Sequence, residues 1–216
     1  AGSEPKYNAY LEDYAYLADG LLSLYAASFD IRWLDWGREL AEQMLTHFRD
    51  ADNGGFFDTS DDHERLIQRP KNLQDNAVPS GGAVAAGVLL RLSLLTGNGD
   101  YWNVAEQSVS TMSKFMSQYP TGFAQWLNAA SFIVSEPQEV ALIGQAEALS
   151  PMLAVLRDGY RPFQVLAAGD GSEAAVPLLE NRVQVDGRTT AYVCRRFICQ
   201  APVTDPEDLE RELGQA

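Results

Sequence analysis

The sequence is poor in cysteine, poor in histidine and poor in positive charge, and it has no long apolar run. Only Cys194 and Cys199 occur in 216 residues. That is too few for a disulfide scaffold, so a reducing cytosol and a cytoplasmic protein are the default expectation. Sixteen Lys and Arg face thirty Asp and Glu, for a formal net charge of -14. Nucleic acids and anionic membranes are bound through clustered cations, so neither partner is expected. No stretch approaches the roughly 18–20 apolar residues of a membrane-spanning helix. There is no Gly-rich phosphate loop, no Gly-x-Ser-x-Gly elbow and no Cys–His dyad. No cofactor is expected. Asp61, Asp62 and His63 are adjacent in sequence, which rarely lets side chains converge on one ion, and His47 lies on a separate helix, so no metal is expected either. The opening "AGSEPKYNAY" lacks the features of a signal peptide and an initiator Met, and reads as a cut end or a cloning scar.

What is present is ample apolar material: 46% of residues are hydrophobic and 21% charged, a globular balance. "YLEDYAYLADGLLSLYAAS" repeats apolar residues at three- and four-residue steps over a wide stripe, which predicts a mostly buried helix over 10–28. "IRWLDWGRELAEQMLTHFRD" has a clear polar face and predicts an outer helix over 31–49. A polar loop follows, with a turn at Asn53-Gly54-Gly55 and a short strand at "GFFDT". Helices are then predicted over 79–96 (apolar on all sides), 100–118 (amphipathic) and 122–134 (mostly apolar). Alternation of buried and amphipathic helices fits two concentric layers. The expected fold class is therefore mainly α, a partial α/α toroid of helical hairpins over residues 1–135. After Glu136, "EVALIG", a helix in "EALSPMLAVLRDGY", and "FQVLAAG" predict a parallel βαβ unit. "TTAYVCRRFICQ" adds a strand and "DPEDLERELG" a last helix, so residues 136–216 form a small α/β unit expected to pack on the helices.

The stretches "YLEDYAYLADGLLSLY", "GGFFDTSDDHERLIQRPKNLQDNAVPSGGAVAAGVLLRL" and "TTAYVCRRFICQAPVTDP" together resemble one family over nearly the whole chain. Its members are long proteins with an N-terminal thioredoxin-like domain and a six-hairpin glycosidase-like toroid, called the YyaL type in bacteria and spermatogenesis-associated proteins in animals. The resemblance implies that this chain is the C-terminal portion of such a protein, without activity of its own, and that the thioredoxin-like domain is a partner. It also implies a toroid similar to those of sugar epimerases and glycosidases, which is analogy of fold and names no reaction. The family shows a similar cysteine pair, which hints at redox exchange with the thioredoxin-like domain or at a metal. From the residues alone, Cys194 and Cys199 read as two buried thiols, able to approach only if the chain turns at Arg196-Phe197.

If the inner helices run parallel around a toroid, their N-termini share one mouth. Glu12 and Asp13 stand at the first, and Asp75, Asn76 and Ser80 at the second. These carboxylates, with Tyr10, Tyr14 and Tyr16 nearby and Trp126 on an inner helix, suit a sugar-like small molecule: one carboxyl can donate a proton while another activates water. Asp75, Asp13 and Glu12 are the candidate catalytic acids. Asn76, Arg69, Lys71, Ser80, Tyr10, Tyr14 and Trp126 are the candidate substrate contacts. Each has a plainer explanation. Ser80 and Asn76 are good helix caps, Glu12 and Asp13 suit a helix N-terminus, and Arg69 and Lys71 can pair with Asp61, Asp62 or Asp75 to hold the loop. Two acids facing one cavity would favour an enzyme; acids that only cap helices would favour a non-catalytic scaffold or binding module serving the thioredoxin-like domain. The missing hairpins predict an open apolar edge at Tyr14, Leu21, Phe123 and Trp126, and hence a homodimer.

Overall fold

The computed structural model describes residues 8–64, 67–171 and 176–214. Helices α1 (Leu11–Ser28) and α2 (Ile31–His47) form a hairpin. Its tight corner is made by Phe29 in the left-handed region (φ 57°) and by Asp30, whose carboxylate accepts the Arg32 backbone N–H at 3.1 Å to cap α2. Helix α3 (Gly81–Thr96) is the centre of the molecule. Its sequence is apolar on every side, so only a position surrounded by other elements can bury it. It lies against α1, α4 (Gly99–Thr111) and α6 (Ala124–Val134), with nearly every residue from Gly81 to Leu95 inaccessible.

The expected order of burial holds between α2, which buries only a stripe of Leu34, Gly37, Ala41 and Met44, and α3. Two expectations are corrected. Helix α1 is not mostly buried: Leu11, Ala15, Ala18, Leu22 and Tyr25 face the core, while Leu17, Gly20, Leu24 and Ala27 form an exposed stripe. The helix expected over 100–118 breaks at Met112 into α4 and α5 (Ser113–Gln118). Near the break the hydroxyls of Ser108 and Thr111 bond back to the carbonyls of Val104 and Ser108, a competition that weakens and bends helices. The strand expected at "GFFDT" is only an isolated bridge between Arg49 and Phe56.

The C-terminal part is a small mixed sheet. Strands β1 (Gln138–Ile143) and β2 (Gln164–Gly169) are parallel and joined through α7 (Ser150–Arg157), as the βαβ pattern predicted. Strand β3 (Thr190–Arg195) runs antiparallel to β1 and turns back into β4 (Ile198–Cys199), giving the order β2-β1-β3-β4. The unit is thus not purely parallel. Ala141, Ile143, Val165 and Ala167 face the helical core. Val140, Leu142, Leu166, Ala191 and Val193 face α7 and the last helix, α8 (Pro206–Leu213), which Asp205 caps. Burial on both faces explains why these strands read as nearly unbroken apolar runs. The chain is mainly α with a small α/β part. Among the described residues, no helix is long and apolar enough to cross a membrane.

Candidate functional site

The N-terminal ends of α1, α3 and α6 meet at one end of the molecule: the Leu11 N–H donates to the Asp58 carbonyl, Gly81 stands against the Glu12 backbone, and Asp75 reaches both α3 and α6. Asp75 ties them together. One of its carboxylate oxygens accepts the Ser80 N–H just before α3, and the other accepts the Gln125 N–H in the first turn of α6, both at 2.8 Å. Phe123 stands just before α6 and its side chain caps nothing, so the first turn is capped by a carboxylate 50 residues upstream. Ser80 in turn caps α3 by accepting the Ala83 N–H at 3.2 Å. Asp13 accepts the Tyr10 N–H at 2.8 Å, closing the start of α1. Asn76 accepts only its neighbour's N–H, that of Ala77.

The two loop cations are also engaged. Lys71 Nζ lies 2.6 Å from Asp50 Oδ2 and 2.8 Å from the Gly54 carbonyl. It holds the buried Asp50 carboxyl well below the ordinary carboxylate range. Arg69 donates to the carbonyls of His47 (2.9 Å) and Thr59, and both cations lie over the face of Phe57. Arg69 also lies close enough to Asp61 to lower its carboxyl, while the ion pair of Lys71 is with Asp50, an acid outside the expected set. Trp126 is 1% exposed, donates its indole N–H to the Leu73 carbonyl at 2.8 Å and packs on Gly82. Tyr14 packs against Phe48 with ring centres 5.3 Å apart. Leu21 and Phe123 are buried as well, so the open apolar edge is not where they were expected to place it. The Leu17–Leu24 stripe of α1 is exposed instead.

Glu12 and Tyr10 remain from the candidate set. They line a cleft of about 190 Å³ together with Asp58, Pro70, Asn72 and Gly81. Gly81 is needed there: a Cβ would stand 3.1 Å from the Glu12 backbone. Asp58 accepts the Asn72 N–H at 2.8–2.9 Å, and burial pushes its carboxyl above the usual range. Tyr16 donates to the Pro79 carbonyl beside it, and its hydroxyl is raised by burial and by the nearby charges of Glu12 and Asp75. Two carboxyls, Glu12 and Asp58, therefore share one small cleft. Asp58 was hidden in the sequence because "GFFDT" looked like a strand.

His47, Asp61 and Asp62 bring one ligand atom each within 4.8 Å of one another, a set that could hold a metal ion. The adjacent acids thus converge with His47, against expectation: His47 Nδ1 lies 2.8 Å from Asp61, whose carboxyl it lowers, and Asp62 accepts from Ser60 at 2.6 Å and from Asn8 at 3.1 Å.

The cysteines are joined as a disulfide, not held as two buried thiols. Arg196 and Phe197 both take left-handed conformations (φ 51° and 62°), the two-residue turn that lets β3 fold back on itself. Cys194 and Cys199 become directly opposite residues of the hairpin.

No family model matches the chain. Three relatives do. It is similar to spermatogenesis-associated protein 20 of Rattus norvegicus, at 32% identity over 99% of the chain, and of Homo sapiens, at 31% over 98%. An uncharacterised protein of Caenorhabditis elegans is 23% identical over 94% of it. The chain spans about 28% of the length of each of these relatives. The resemblance read from the sequence thus finds its counterparts among the animal proteins, along essentially the whole chain.

Proposed function

We propose that this chain is a non-catalytic scaffold and binding module working within a longer helical protein, in which it serves a thioredoxin-like domain. The observation that carries this reading is Asp75. Both of its oxygens cap helices, so the acid best placed for catalysis by sequence has no oxygen directed to a substrate. Arg69, Lys71, Asp13 and Ser80 are spent the same way. The exposed Leu17–Gly20–Leu24–Ala27 stripe on α1 supports the rest of the proposal: it is the face on which a further helix of a closed α/α toroid would pack. In the isolated chain a second copy is the available cover, hence a homodimer. The test is turnover by the longer protein of chromogenic glycosides, or epimerisation of N-acylated hexosamines followed by NMR. We expect none. Turnover that Asp75→Asn abolishes in a folded protein would overturn the reading and restore carbohydrate processing.

A second reading is favoured by the Glu12–Asp58 cleft. An acidic cleft with Tyr10 on its wall and a neutral Asn72 beside it suits a small polyhydroxylated ligand and disfavours one bearing carboxylates, because the loop cations are turned to other partners. Calorimetric titration with neutral monosaccharides against uronates, on wild type and Asp58→Asn, separates these outcomes.

A further inference from the structure

We propose that the Cys194–Cys199 disulfide is a redox-active site that exchanges with a dithiol, independently of the reading above. Four features meet at this hairpin. The two sulfurs differ in access: Cys194 is fully buried, whereas Cys199 is exposed on β4, the edge strand of the sheet. A cation sits on both: Arg182 Nη2 lies 3.4 Å from Cys194 Sγ and 3.2 Å from Cys199 Sγ. The same guanidinium is fixed by the Leu178 carbonyl and by the ring of Tyr192 at 5.8 Å, so it stays in place when the bond opens. Finally, the turn is anchored by something other than the disulfide. Glu139, fully buried on β1 and directly opposite Cys194 in register, accepts the Phe197 N–H at 3.2 Å with both oxygens. A purely structural disulfide has no use for a guanidinium against its sulfurs, and a hairpin held by a buried carboxylate does not need the disulfide to persist.

The access sets the direction of the reaction. One thiolate of a dithiol attacks the exposed Cys199 Sγ. The Cys194–Cys199 bond breaks, and its electron pair leaves on Cys194 Sγ as a thiolate held by Arg182. The second thiol of the dithiol, losing its proton to solvent, then attacks its own first sulfur. This releases Cys199, which takes a proton from solvent. The dithiol ends as a disulfide, oxidised by two electrons, and the cysteine pair ends reduced by two. Glu139 is a positioning residue: by holding the turn it keeps the two sulfurs opposed, so that the reverse step can close them again. Exposed Phe197 and Ile198 at the tip (57% and 76%) give the approaching dithiol an apolar surface beside its target.

The experiment uses dithiothreitol on the native chain, with released thiols alkylated and counted by mass spectrometry while circular dichroism follows the fold. We expect the pair to be oxidised as purified and to be reduced within minutes without loss of ellipticity. Removing the cation slows departure of the Cys194 thiolate, so Arg182→Gln is expected to be slower by roughly 3- to 10-fold, and Arg182→Lys to recover most of the rate. Glutathione, a monothiol, is expected to stall as a mixed disulfide on Cys199. Free thiols in the oxidised preparation, reduction only after unfolding, an adduct on Cys194 instead, or equal rates for wild type and a folded Arg182→Gln would each overturn the proposal.

Discussion

Lys71→Met separates a structural cation from a ligand-binding one. Methionine keeps the aliphatic stem over Phe57 but removes the ammonium, and with it the 2.6 Å contact to Asp50, the 2.8 Å bond to the Gly54 carbonyl and the attraction to the ring 4.8 Å away. The Asp50 side chain is only 7% exposed, so its charge is left largely without solvent. It keeps the N–H groups of Asp52 and Asn53 at 3.1 and 3.0 Å, which softens the loss. Breaking such an enclosed pair costs about 3 kcal/mol. For a chain of this size that is a fall in Tm of roughly 6–12 °C. Asp50→Asn in the same background is expected to recover part of it, because the stranded charge is gone. The pH dependence has a definite sign. Lys71 lowers the Asp50 pKa in the folded state, so the stabilisation is present above the unfolded carboxylate value near about 4 and is lost as pH falls below it. Wild type and variant should therefore differ by a constant amount between about pH 5 and 8 and converge in acid. Differential scanning calorimetry across that range is the assay. An unchanged Tm together with lost binding of a small ligand would refute the structural assignment of Lys71.

Asp58→Asn should raise Tm at neutral pH, since burial disfavours the ionised carboxyl, and the gain should vanish at about pH 3, where wild-type Asp58 is protonated in both states. Gly81→Ala should cost about 1–3 kcal/mol in chemical denaturation, because the added methyl meets the Glu12 backbone rather than a movable side chain. Sedimentation velocity at micromolar concentration should show self-association that Leu17→Lys and Leu24→Lys abolish. A monomer without concentration dependence would remove the α1 stripe as a contact surface.

What could be read from the sequence were features encoded locally. Helix α3 is apolar on every side, α8 carries Asp205-Pro206 at its start, and the βαβ run alternates strand, helix and strand within 32 residues (138–169). What could not be read depends on partners distant in sequence. Asp75 and Ser80 look like one cap too many; only the fold shows that the surplus capacity serves α6. Lys71 and Arg69 had several acids within reach along the loop, and charge alone does not choose among them. The structure chose Asp50 and three carbonyls, those of Gly54, His47 and Thr59. A turn at Arg196-Phe197 could be named only as a condition for the cysteines to meet, because the pair carries no Gly, Asn or Asp, the residues that usually announce a two-residue turn. Glu139 did leave a trace, as a charge inside the apolar strand "EVALI".

The claim that the acids at the mouth hold the fold rather than do chemistry is tested most directly by native-state hydrogen exchange on Asp75→Asn. Asparagine keeps one acceptor oxygen and offers an amide in place of the other, so one carboxylate can no longer serve two helices. The account predicts faster exchange at the Ser80 amide, the Gln125 amide or both, spreading into the first turns of α3 and α6 although these lie far apart in sequence. Unchanged protection at both helix starts would contradict it and return Asp75 to the list of groups free to meet a substrate.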